Sequence, residues 1–195
     1  VAIGVFADYG YPKTDPQLIA DEIGIGKGTI YRYFESKEAL FLAAVDLGME
    51  RLAHFVESRV ATIEDPLEKI AGAVRFYLRF FDQNPEVLEL LIQERAEFRD
   101  RKKPTYLKHR EQNIGPWLLL LQALVDDGRV RKLRVETITE TISCLLYGTI
   151  FTGYFNKSKS NFEEKTVDIV DIVFAGILGD AERRRLDKYL KMVGE

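Results

Sequence analysis

At 195 residues, 46% of them hydrophobic and 30% charged, the chain has the make-up of an ordinary folded protein, which excludes a disordered or low-complexity molecule. A formal net charge of -3, with four Lys/Arg against eight Asp/Glu in residues 1–50, excludes a broadly polycationic nucleic-acid binder. The single cysteine, Cys144, excludes an intramolecular disulfide, and no apolar run approaches the roughly 20 residues that span a bilayer, so a soluble, cytoplasmic protein without membrane contact is expected.

Residues 1–8 read as the tail of a helix that ends at Gly10, with Val1, Val5 and Phe6 on one face. Asp15-Pro16 predicts a helix start, Asp as N-cap and Pro at the first helical position. Leu18, Ile19 and Ile23 form its expected buried side, and Gly24 ends it. Beyond Gly24-Ile25-Gly26, the stretch Lys27 to Tyr33 predicts a helix only about 10 Å long, with Ile30 as its one buried position. A helix that short is not stable alone. Its neighbours must hold it, and Lys27, Thr29, Tyr31, Arg32 and Tyr33 need a use at its surface. Phe34 closes it and is expected to plug the small core. A long helix follows, from about residue 37 to 60, built on Leu40, Phe41, Ala44, Val45, Leu52 and Phe55.

Asp65-Pro66 and Asn84-Pro85 predict two further helix starts by the same chemistry. Arg99 to Pro104 is a charged break, and its basic residues, with Lys108 and Arg110, read as a solvated surface. Pro116 in the apolar stretch 106–127 predicts a kink or a junction of two helices, and Gly128 closes that stretch. Cys144 reads as a small buried residue. Residues 135–155 and 162–178 are apolar on more than one face, so they are expected to bury against the same pair from a second subunit, through Ile142, Leu146, Thr149, Gly153, Val170, Val173, Phe174 and Ile177. An ordinary monomer core is the alternative use of those faces. A polar turn at 156–160 and a closing helix from Ala181 to Val193, its Arg-rich start facing water, complete the chain. No strand alternation and no repeat is present, so the fold class is all-α, with about nine or ten helices. The expected division is a helix-turn-helix domain at 1–45 and a second domain, carrying the dimerisation face, at 46–195.

A helix-turn-helix of this form suits the DNA major groove, where the N-terminal residues of the second helix reach base edges. Gly26 stands at the N-cap with unpaired amides and the positive end of the helix dipole facing outward, as a phosphate requires. Lys27 and Thr29 are then within reach of bases, Tyr31, Arg32 and Tyr33 spread along the groove walls, and Lys37 is placed for the backbone on the other side. Gly10-Tyr11, Thr14, Ile19-Ala20, the run from Ile25 to Phe34 and Ser36-Lys37-Glu38-Ala39-Leu40 together resemble the N-terminal domain of the TetR family of transcriptional repressors.

The resemblance implies a homodimer that reads a near-palindromic double-stranded operator and is released from it by a small-molecule effector. It further implies that Lys27, Gly28 and Tyr31 meet bases or nearby phosphates and that Tyr33 and Lys37 hold phosphates. Two positions depart from the pattern: Gly26 and Asp15 stand where Ser or Thr is usual, and the carboxylate of Asp15 repels phosphate. The effector is expected among the aromatic residues of the middle helices, Phe76, Tyr77, Phe80, Phe98, Trp117, Tyr147 and Phe151, with Glu94 as a polar anchor. No metal or other cofactor is expected, and no enzyme: two histidines and one cysteine far apart offer no nucleophile with its base, and neither HExxH, CxxC nor a phosphate loop occurs. The alternatives are a small all-α ligand-binding protein or enzyme with an incidental helix-turn-helix, and a DNA-associated protein with no small ligand.

Overall fold

The computed structural model describes residues 1–155 and 162–185, with Tyr189 and Lys191 beyond them. Among these the chain is all-α, in eleven helices: α1 (Ala2–Tyr9), α2 (Pro16–Ile23), α3 (Lys27–Tyr33), α4 (Lys37–Val60), α5 (Pro66–Gln83), α6 (Pro85–Glu97), α7 (Thr105–Asn113), α8 (Gly115–Asp126), α9 (Val135–Phe155), α10 (Phe162–Ile177) and α11 (Asp180–Arg183). The expected turn at 156–160 and about half of the expected closing helix lie outside the described residues.

The helix starts follow from local chemistry. Asp15 accepts the amide of Gln17 at 2.8 Å, and Asp65 accepts those of Leu67 and Glu68 at 2.9 and 3.0 Å. In each case a proline, which has no N–H to leave unpaired, takes the first helical position. The apolar stretch around Pro116 is two helices meeting at Ile114, because proline is tolerated only in the first turn. Gly24 ends α2 with φ 78° and ψ 33°, a left-handed turn that glycine adopts without strain.

The chain divides into two compact units, Val1–Leu52 with Asn84–Arg110, and Ala53–Gln83 with Glu111–Glu195. In the first, Phe6 and Phe41 are fully buried. Their rings lie 5.0 Å apart edge to face, Tyr11 packs on Phe41 at 5.1 Å, and Phe98 at the end of α6 packs on Tyr11 at 4.9 Å and on Phe41 at 5.7 Å. Helix α6 therefore runs antiparallel to α4, Val87 facing Gly48 and Phe98 facing Phe41. The approach at the first pair is close: a Cβ on Gly48 would stand 2.8 Å from Cγ1 of Val87. Gly48→Ala is accordingly expected to lower stability by about 1 to 2 kcal/mol through overpacking. The loss should shrink in a Val87→Ala background, which denaturant midpoints of the four proteins in the cycle will check.

In the second unit α5 turns Leu67, Ile70, Ala71, Val74, Leu78 and Phe81 inward. It packs on α10 and α9, and α9 packs on α8 and α10. One polar cluster ties distant segments together. Arg129 donates to Glu182 from Nε and to Asp65 from Nη2, both at 2.9 Å, and the buried Tyr189 hydroxyl donates to Glu182. The Arg-rich start of the last helix thus does not simply face water: Arg183, Arg184 and Arg185 are exposed, but Glu182 is turned in by Arg129.

Three apolar residues expected inside, Val1, Leu18 and Ile23, are exposed. An eight-residue helix touching its neighbours along one line has room to bury only Pro16, Ile19 and Ala20 of α2. Cys144, expected buried, is exposed on α9.

Candidate nucleic-acid interface

Helix α3 is held from below by a single side chain. Ile30 is buried, Gly26 is the extended N-cap at φ -73° and ψ 143°, and the Thr29 amide returns to its carbonyl at 2.8 Å. The turn before it is closed by the Ile25 amide on the carbonyl of Ala20 at 2.9 Å. Of the other side chains on α3, Lys27 and Thr29 are half-buried and Tyr31, Arg32 and Tyr33 are exposed, Tyr33 at 76%. Among the described residues, and apart from its chain neighbours and the backbone of α3, nothing lies within 4 Å of where a Cβ on Gly28 would stand, so internal packing places no demand for glycine there.

Asp15 and Lys27, from the starts of α2 and α3, form an ion pair at 2.6 Å. The amide of Gln17, then Lys27, holds the Asp15 carboxyl below the usual carboxylate range, and the hydrogen bond from Asp15 raises Lys27. Asp15 is thus both the cap of α2 and the partner of Lys27. The pair is exposed, so it adds little to stability.

Lys37 is used differently from the phosphate contact expected of it. Its ammonium donates to the carbonyls of Tyr11 at 2.8 Å, Pro12 at 3.2 Å and Thr14 at 3.0 Å. It also lies 4.6 Å from the centre of the Tyr11 ring. An ammonium has three donors, and all three are engaged inside the chain, so Lys37 fastens the α1–α2 loop to the start of α4. Lys37→Ala should therefore cost about 1.5 to 3 kcal/mol of stability, the range for hydrogen bonds to a charged group. It should leave the salt dependence of DNA binding close to that of the parent, and melting curves beside binding titrations in graded salt will separate the two effects.

The loop has a second support that the sequence reading missed. Buried Gln93 of α6 accepts the Tyr11 amide at 2.8 Å and donates to the Phe6 carbonyl at 3.0 Å. A signal was present: Gln93-Glu94 interrupts the apolar run of α6 at helical spacing from buried Leu90 and Leu91. Burial pushes the Tyr11 hydroxyl up, and the charges of Glu38 and Glu97 add to the shift.

The residues expected to form an effector pocket do not all share one unit. Glu94 is buried in the first, where it pairs with Arg101 and accepts the Thr105 amide at 3.0 Å, so it fixes the start of α7. Phe98 belongs to the same unit and is part of the ring cluster around Phe41. Phe76, Tyr77, Phe80, Trp117, Tyr147 and Phe151 lie in the second unit. There Tyr77 packs on Phe81, Phe80 on Phe55 and Tyr147 on Phe151, with ring centres 5.3, 5.5 and 4.3 Å apart. An open cavity of about 710 Å³ lies at the start of α5, lined by Thr62, Ile63, Glu64, Asp65, Glu68, Gly72, Arg75 and Phe76.

Of the residues expected to pair two subunits, Leu146, Gly153, Val170, Val173, Phe174 and Ile177 are already buried within one chain, and Ile142 and Thr149 are half-buried. The apolar faces of α9 and α10 meet α5, α8 and each other first. α9 leaves exposed Glu136, Thr137, Glu140, Thr141, Cys144, Tyr147, Gly148, Thr152 and Phe155, and α10 leaves Glu163, Glu164, Asp168, Asp171, Ile172 and Ala175.

The family model for bacterial regulatory proteins of the tetR family matches residues 1–44, the span of α1 to α3 and the start of α4. Residues 1–44 form a TetR-family domain. The match takes in the exposed α3 and Ile30 beneath it, and such a domain marks the chain as a transcriptional regulator rather than an enzyme. Over 182 residues it is 24% identical to the fatty acid metabolism regulator protein of Bacillus subtilis, covering 90% of this chain and 91% of that one. It is 28% identical over 89 residues to the transcriptional activator FasR of Mycolicibacterium smegmatis, which is 46% of this chain and 41% of the activator's own length. Among solved structures, FadR from Bacillus subtilis in complex with stearoyl-CoA superposes with a TM-score of 0.70 at 20% identity, over 90% of this chain and 95% of that one. A likeness at that identity speaks for the fold.

Proposed function

We propose that two copies of this regulator pair and place their α3 helices in successive major grooves of a near-palindromic operator, about 34 Å apart, and that a small-molecule effector releases them. The observation that carries the reading is α3 itself: one buried side chain, and Tyr31, Arg32 and Tyr33 standing free at the surface. Residues 1–45 then read DNA, and residues 46–195 take the effector and the second subunit. Lys27 and Thr29 reach base edges and Tyr31, Arg32 and Tyr33 line the groove, while Gly28 admits a close backbone approach.

For pairing, the exposed strip of α9 around Thr141, Cys144, Gly148 and Thr152, with Ile172 of α10, supplies a face that a second copy can cover. The buried residues named for that task earlier instead support the strip from beneath. For the effector, the full-length likeness to a fatty acid metabolism regulator and the stearoyl-CoA in FadR favour a long-chain acyl thioester. It releases DNA only by binding more tightly to the state whose helix spacing misses the groove.

Duplexes selected from a random pool by the purified protein, then titrated in graded salt, test the reading. Tyr33→Ala should weaken binding to every selected sequence with little change in salt dependence, because a neutral hydroxyl releases no counterion, whereas Arg32→Gln should lower the slope of log affinity against log salt by about 0.9 per lost phosphate contact. Stearoyl-CoA should release the duplex, and sedimentation should show two subunits bound. A protein that enriches no sequence, or binds with a slope near zero, overturns the proposal.

A further inference from the structure

The helix-turn-helix segment is poor in positive charge: residues 1–52 hold five Lys/Arg against eight Asp/Glu. The same compact unit also takes in residues 84–110, where seven Lys/Arg fall between residues 95 and 110. Where those residues sit follows from the register of α6 on α4. Val87 lies against Gly48, and further along α6 Phe98 lies against Phe41, so the helix descends toward the start of α4. Phe98 also packs on Tyr11, in the loop fastened by Lys37. The chain then turns and climbs back, because Lys108 and His109 of α7 meet Asp46 at 3.0 and 2.8 Å. The tip of this hairpin, residues 99–103, therefore stands level with the first turn of α4, at the end of the unit from which α3 projects.

Within the segment Arg101 pairs with buried Glu94, which holds the tip in shape, Lys108 pairs with Asp46, and Arg99 donates from Nε to the Ala96 carbonyl at 3.3 Å. Arg99, Lys102 and Lys103 are exposed at the tip, as is Lys13 in the neighbouring loop. Acidic neighbours are present too: Asp100 in the tip itself and, nearby, Glu97 and Glu38, whose charges both reach Tyr11.

We propose that the α6–α7 loop is a second DNA-contacting surface, on which Arg99 and Lys102 bind backbone phosphates flanking the groove that α3 enters. It rests on the reading of α3 as the recognition helix. Such contacts carry no sequence information: they add affinity and fix the angle of docking.

The test uses the full chain and a duplex that the parent protein selects from a random pool. Arg99→Gln with Lys102→Gln should lower the slope of log affinity against log salt by about 3 to 4 for a paired molecule, at about 0.9 per lost contact. The sequence preference should not change. Asp100→Lys, which adds a cation at the tip, should steepen the slope, so the surface is probed in both directions. Melting curves matching the parent show that neither variant acts through unfolding. Slopes equal to the parent's in both variants overturn this surface while the recognition helix stands; a parent that selects no duplex overturns both.

Discussion

Replacing Phe41 with alanine is expected to remove about 3 to 5 kcal/mol of stability, the range for truncating a fully buried phenylalanine. The ring has no exposed surface and is the shared neighbour of Phe6, Tyr11 and Phe98. These four side chains come from α1, the loop after it, α4 and the end of α6, so the cavity opens where every support of the helix-turn-helix converges. Loss of operator binding should accompany the loss of stability. Phe41→Leu, which retains most of the volume, should recover the greater part of both. Chemical denaturation monitored by circular dichroism gives the measurement, and a cost below about 1 kcal/mol would show that the cluster is not packed as described.

Arg129→Met is expected to cost about 2 to 3 kcal/mol at neutral pH. That is below the range for breaking fully buried pairs, because Arg129 keeps a quarter of its surface in solvent. Its loss leaves buried Glu182 with the Tyr189 hydroxyl, and Asp65 with the amides it caps. The pH dependence has a definite sign. Burial opposes ionisation of both acids, but the Glu68 amide and Arg129 for Asp65, and Tyr189 and Arg129 for Glu182, outweigh it and hold both below the ordinary carboxylate range. Groups with depressed values stabilise the fold above about pH 4, the unfolded carboxylate value, and that stability is lost as pH falls through the folded values. The gap between parent and variant should therefore be widest at pH 7 and narrow progressively below about pH 4. A gap that stays constant across that range would mean that Arg129 acts by packing alone.

Much of the fold was legible because its signals are local. Asp15-Pro16 and Asp65-Pro66 name helix starts whatever surrounds them, since the cap and the missing proline donor act within one turn. Gly24 and Gly26 bracket the turn between α2 and α3 for the same reason, and α4 begins and ends within a residue of its expected bounds. Periodicity was less informative on α2, α9 and α10. It tells which residues are apolar together but not which of several apolar faces meets the chain's own helices first, and so Leu18 and Ile23 were expected inside and Phe174 at a subunit boundary.

By itself, then, the order of residues determined an all-α chain with a short, polar-faced helix introduced by glycine, because capping, turn chemistry and helix length depend on neighbours only a few positions away. Tertiary structure decided which charges are available and which are engaged. Lys37 holds three carbonyls 23 to 26 positions away, Glu182 turns inward to an arginine 53 positions distant, and residues 99–103 come level with the start of α4. A charge is satisfied by whatever the fold brings within about 3 Å, and that partner stands nowhere near it in the chain.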